Sequence, residues 1–171
     1  MSSVIVGEQV EFALVADGHG GKTAAVAVCD TFVTRVLALA SDASASALDE
    51  AVSQVYQQVH DEVCETCGCS GTTLTVIAFN IARGELQAWN VGDSLALLVH
   101  DDGHAVISKS FRLADNPEEQ ERVVGLGAKL GRALNADGLP GGPLRAWPGG
   151  LAGALDPFIQ AAPLTVPCCP H

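Results

Sequence analysis

The sequence predicts an α+β fold of antiparallel sheets and paired helices. Three observations point to it: an apolar strand-like run at residues 10–16, two long helical patterns after it, and a series of strand-like runs separated by tight turns from residue 72 onward. Strand, helix pair and strand meander is not the regular alternation that builds a parallel sheet.

The run at 10–16 is apolar enough to be buried. Residues 23–40 read as a helix, with Val28, Phe32, Val36 and Leu39 on one face. A Ser/Ala/Asp linker at 41–46 leads into a second helix, in which Leu48, Val52, Val55, Val59 and Val63 make one apolar stripe. The two helices are expected to pair as a hairpin against a sheet. Residues 72–82, 85–91 and 94–100 then read as successive strands, joined by turns at Arg83-Gly84 and Gly92-Asp93. Asp101-Asp102-Gly103 turns into a short strand near 105–108. Residues 117–124 form a short helix with Asn116 as N-cap and Glu118 and Glu119 in its first turn. Residues 139–150 hold too much Gly and Pro for regular structure.

A chain of 171 residues, 48% hydrophobic, suffices for one domain with a real core. Its net charge of −11, with nine Lys and Arg, argues against nucleic acid or an anionic membrane as partner, because both require a basic footprint. No apolar run reaches membrane-spanning length, and residues 1–10 lack the basic flank and apolar core of a secretory signal. A soluble, intracellular, cytoplasmic chain is expected. Its six cysteines then stay reduced. Cys64, Cys67 and Cys69 could offer thiolates to zinc, with Cys168, Cys169 or His171 completing a tetrahedron. The lack of a second paired-Cys arm favours a plain Cys-rich loop instead. Cys29 reads as a small core residue.

Chemistry concentrates at Asp17-Gly18-His19-Gly20-Gly21, between the first strand and the first helix. An acid and an imidazole on a Gly-rich turn can hold a metal ion and supply a proton. Three further segments follow in order: Ser70-Gly71-Thr72-Thr73, Asn90-Val91-Gly92-Asp93-Ser94, and Gly142-Pro143-Leu144-Arg145-Ala146-Trp147-Pro148-Gly149-Gly150-Leu151-Ala152. Each alone could be structural. Together, over residues 10–152, they resemble the metal-dependent protein phosphatase family, the PPM type also called type 2C.

The resemblance implies a partial PPM-type β-sandwich of antiparallel sheets flanked by helix pairs. It also implies hydrolysis of phosphoserine and phosphothreonine in a phosphorylated protein substrate. In the family two Mg²⁺ or Mn²⁺ ions flank a bridging water and lower its pKa. Carried over by position, Asp17 would bridge both metals and the Gly18 carbonyl would bind one. His19 would be the general acid toward the departing alkoxide. Asp93 would match the acid of a weaker third metal site. Thr72 and Thr73 are assigned no chemistry.

Departures from the pattern matter as much. Residues 1–9 carry no Arg and only Glu8 where the family has an Arg and an acidic pair. Leu95 stands where an Arg often follows Gly-Asp-Ser, and Asp115-Asn116 where the family has Asp-His. After Ala152 the family's later acidic motifs do not follow. The expectation is an incomplete PPM-type domain over 1–152, a divergent and disordered tail over 153–171, and weak or absent turnover. Two rivals remain. One is a phosphatase-like module that binds without turnover; the other is a phosphate-binding loop at Ala16-Asp17-Gly18-His19-Gly20-Gly21-Lys22-Thr23, whose first position carries Ala instead of Gly.

Overall fold

The computed structural model describes residues 2–6, 10–68, 70–134 and 137–147. They fall into two compact units divided after Ser110.

The first unit is built on a four-stranded antiparallel sheet in the order β1-β2-β5-β6, formed by β1 (Ser2–Val6), β2 (Val10–Val15), β5 (Leu74–Asn80) and β6 (Glu85–Val91). Between β2 and β5 run the two-residue strand β3 (Gly18–His19), helices α1 (Thr23–Leu39) and α2 (Ala45–Thr66), and the two-residue strand β4 (Gly71–Thr72). Alternation along β2 buries Val10, Phe12 and Leu14 and exposes Glu11, Ala13 and Val15. The buried set meets Val28, Phe32, Val33 and Val36 of α1 and Leu48, Val52, Val55 and Val59 of α2 in one core. This is the helix hairpin expected from the two apolar stripes. Phe32 stands edge-on to Tyr56 with ring centroids 4.9 Å apart. The Tyr56 hydroxyl donates to the Leu74 carbonyl, which ties α2 to β5.

The start of α2 is anchored more firmly. Ser44 caps it by accepting from the Ala47 N–H. Asn80 and Gln87 donate to the Ala43 and Ala45 carbonyls, and the Trp89 indole N–H donates to the Asp49 carboxylate at 2.7 Å. A buried Trp usually finds such a partner.

Three local features depart from what the sequence pattern predicts. Leu39 is 44% exposed. The buried stripe of α1 runs through Cys29, Val33 and Val36, and the chain turns away toward α2 directly after Leu39. No sequence pattern marks strand β1, because five residues beginning with two serines show no periodicity and acquire strand geometry only by pairing with β2. The third correction concerns residues 139–150 and belongs to the second unit.

A hairpin of β7 (Leu97–His100) and β8 (Gly103–Val106) completes the first unit. All strand pairs among the described residues are antiparallel. That excludes the parallel sheet on which a phosphate-binding loop is built. No helix among the described residues is long and apolar enough to cross a membrane.

The second unit holds a 3₁₀ turn (Leu113–Asp115), α3 (Pro117–Gly125), β9 (Lys129–Leu134) and β10 (Pro140–Trp147), around a small core of Val123, Ala128 and Ala146. The N-cap of α3 is as expected: the Asn116 side chain accepts from the Glu119 N–H at 3.0 Å. Arg122 then grips the buried Glu119 carboxylate with two bonds, at 2.7 and 2.6 Å. Contrary to expectation, 140–147 is a strand. The pairing register shifts between Gly141 and Leu144, and Gly142 takes φ +73° there, so the Gly and Pro residues are absorbed at a bulge while the ladder continues on both sides. Residues 153–171 and Cys69, and with them the tail and zinc expectations that need them, lie outside the described residues.

Candidate active site

The loop after β2 carries Asp17, Gly18 and His19, and its shape is set by close packing. A β-carbon on Gly18 would lie 2.9 Å from the Gly21 carbonyl oxygen and 3.2 Å from the Ala25 methyl. Only glycine lets the strand end fold so tightly against the start of α1. Gly20 and Gly21 follow with φ of +64° and +127°, values that side chains resist.

Helix α1 has no capping side chain of its own: its N-cap position is Lys22, in helical geometry. The cap arrives from elsewhere in the chain. Ser70 Oγ, buried, accepts from the Ala24 N–H at 3.2 Å across 46 positions. The next residue matters for a different reason. Gly71 pairs with His19 across β3 and β4, and a β-carbon on it would overlap the imidazole, lying 2.8 Å from Cε1 and running into Nε2. The His19 ring is therefore seated on the Gly71 backbone, with Nε2 shut away from solvent.

Thr73 holds Asp17 from both sides. Its N–H donates to the Asp17 carbonyl at 3.0 Å, and its Oγ1 accepts from the Asp17 N–H at 3.2 Å. Thr73 Oγ1 also lies 3.0 Å from Ser94 Oγ, beside Asp93. The segment at 90–94 is in turn held by Asn90, which is 8% exposed. Its Nδ2 donates to the carbonyls of Gly92, Ser94 and Lys109, and its Oδ1 accepts from the Thr75 hydroxyl. Asp17 and Asp93 themselves stay exposed. Their loops are thus joined through two hydroxyls, with both carboxylates left to solvent.

Four supporting residues, Ser70, Thr73, Asn90 and Ser94, had no assigned role from sequence. All four lie in the segments quoted from the sequence, but small polar residues beside glycine are common in any turn. The partners of Ser70 and Thr73 lie 21 to 56 positions away.

The two-metal centre implied by the resemblance needs several oxygen ligands. Among the described residues no group of three or more His, Cys, Asp or Glu side chains is placed to hold a metal ion. Asp17 and Asp93 do not by themselves make that shell.

Comparison with known proteins agrees with the motifs. The model of the protein phosphatase 2C family matches residues 6–137. A probable protein phosphatase 2C 12 of Arabidopsis thaliana is 35% identical over 142 residues, which is 79% of this chain and 32% of that protein. A probable protein phosphatase 2C 3 of Oryza sativa subsp. japonica is 34% identical over 143 residues, 80% of this chain and 29% of that protein. Among solved structures, a C. elegans sex determining protein superposes with a TM-score of 0.65 at 18% identity, over 80% of this chain and 33% of that one, and so shares the fold. The chain spans about a third of the length of the curated relatives it matches. With its DGHGG loop, its Ser-Gly-Thr-Thr and Gly-Asp-Ser segments joined in space, and a family match over most of its length, the chain belongs to the protein phosphatase 2C family.

Proposed function

We propose that residues 1–152 are part of a metal-dependent protein serine/threonine phosphatase domain, and that this stretch of chain by itself has weak turnover or none. Residues 153–171 are taken as a tail outside that domain. In this reading Asp17 and the Gly18 carbonyl would hold Mg²⁺ or Mn²⁺, Asp93 would hold a further metal, and His19 would donate a proton to the departing Ser or Thr oxygen of a phosphorylated protein. The acidic composition fits a chain without nucleic-acid partners, and an intracellular, cytoplasmic setting is part of the proposal.

The observation that carries the reading is the hydrogen-bonded link from the Asp17 backbone through Thr73 to Ser94. It supports one composite site built from segments 56 and 21 positions apart. Two observations support low turnover. The described residues lack a cluster of three metal-binding side chains, and His19 keeps Nε2 against Gly71, so that nitrogen would need a ring rotation to meet a leaving oxygen. The same features favour the second reading, a phosphatase-like module that binds a phosphorylated partner without hydrolysing it.

Release of phosphate from a phosphoserine peptide with added Mn²⁺ tests both. The expected result is low or no turnover, abolished by Asp17→Asn and reduced by His19→Ala. Robust turnover unaffected by either substitution would place the chemistry elsewhere. Tight calorimetric binding of two metal ions by this chain would show the metal shell to be more complete than proposed. Peptide binding without hydrolysis would select the module.

A further inference from the structure

Thr73, the last residue of the Ser-Gly-Thr-Thr segment, lies where the two candidate acid loops meet. Thr73 engages both main-chain polar groups of Asp17, the carbonyl with its N–H and the N–H with its hydroxyl. A hydroxyl can donate once and accept twice. Having accepted from Asp17, Thr73 Oγ1 keeps its own hydrogen and a second lone pair for Ser94 Oγ, 3.0 Å away.

The Gly-Asp-Ser turn is shaped to allow this approach. Gly92 adopts φ +98°, and a β-carbon on it would lie 2.7 Å from Thr73 Cγ2 and 2.9 Å from Thr73 Cβ. Any side chain at 92 would therefore push the turn off Thr73. Asn90 pulls from the other direction, since its amide binds the carbonyls on both sides of Asp93. Glycine permits the contact, asparagine draws the turn in, and the hydroxyl pair closes it.

We propose that Thr73 and Ser94 form a hydroxyl clasp that holds the Asp17 loop in register with the Asp93 loop, with Thr73 as a positioning residue for Asp17. The proposal rests on the reading of Asp17 and Asp93 as parts of one metal-binding site. Its structural half is independent of that reading. Thr73 acts through the Asp17 backbone and not on substrate.

Amide hydrogen exchange of the full chain, residue by residue, tests the clasp. Thr73→Val keeps the side-chain shape but removes the hydroxyl, and should speed exchange at the Asp17 N–H by about tenfold, the equivalent of one lost hydrogen bond. Amides of Val28, Phe32 and Val52 in the helices should not change. Thr73→Ser restores the hydroxyl and should restore protection. Unchanged exchange at Asp17 in Thr73→Val, or failure of Thr73→Ser to rescue it, would overturn the proposal. Should Thr73→Val not fold, Ser94→Ala serves in its place: exchange at Asp17 should rise by about threefold, and no rise would overturn the coupling. Mn²⁺ titration of the same proteins separates the two ideas. Mn²⁺ binding that weakens in Thr73→Val and returns in Thr73→Ser supports the positioning role. A wild-type chain that binds no Mn²⁺ counts against the metal reading, while the exchange result still decides the clasp.

Discussion

Replacing Asn90 with aspartate changes little in shape and much in chemistry. The Asn90 amide is buried and donates to three carbonyls, those of Ser94 and Lys109 at 2.8 Å and that of Gly92 at 3.2 Å, while its Oδ1 accepts from Thr75. Two N–H groups serve these three acceptors, so two full bonds are at stake. At about 1 kcal/mol net per bond, their loss alone removes roughly 2 kcal/mol. A carboxylate goes further, because it sets a buried negative charge against three carbonyl oxygens. Asn90→Asp should therefore destabilise the first unit by about 3–5 kcal/mol at neutral pH. Asn90→Ala, which leaves the partners unbonded but adds no charge, should fall nearer 2–3 kcal/mol, as an order-of-magnitude figure. The pH dependence follows in sign. Burial against carbonyls raises the pKa of the introduced carboxyl in the folded state, so its penalty is absent below the unfolded-state pKa and grows as pH rises through the folded-state value. Urea unfolding followed by Trp fluorescence at pH 7 and near pH 4 would read this. An Asn90→Asp variant within about 0.5 kcal/mol of wild type at pH 7, the usual range for inert surface changes, would refute the assignment of Asn90 as the staple of the Asp93 loop.

Phe32→Ala should cost about 3–5 kcal/mol in urea unfolding, since Phe32 is fully buried against Tyr56; a loss below about 1 kcal/mol would contradict its place in the core. Ser70→Ala should cost about 1 kcal/mol and raise amide exchange at Ala24, whereas unchanged exchange would show that α1 is capped by something else. Burial raises the Cys29 thiol above its ordinary pKa. The neutral thiol is favoured in the folded chain, so its stabilising contribution is complete below the unfolded-state pKa and is lost as pH rises through the folded-state value. Cys29→Ala should flatten that alkaline decline in stability, and an identical decline in the variant would remove Cys29 as its source.

Helices α1 and α2 were legible because an amphipathic stripe is written in residues three and four apart, and Val28, Phe32, Leu48 and Val52 are buried as that spacing predicts. The β5–β6 hairpin was legible from its punctuation: two strand-like apolar runs flank a turn in which Gly84 takes φ +63°. The DGHGG loop stood out as a candidate site because an acid and an imidazole among glycines is a local pattern. Edge strand β1 and bulged strand β10 could not be read this way, since pairing with a neighbour overrides weak or contrary local preference. The interior of the site was equally hidden. Ser70 caps a helix 46 positions away, Gly71 leaves room for a ring on another strand, and Thr73 reaches both Asp17 and Ser94. Local periodicity determines which elements form and which face each buries. Which hydroxyl meets which backbone group depends on strand register, and register exists only once the sheet has been assembled.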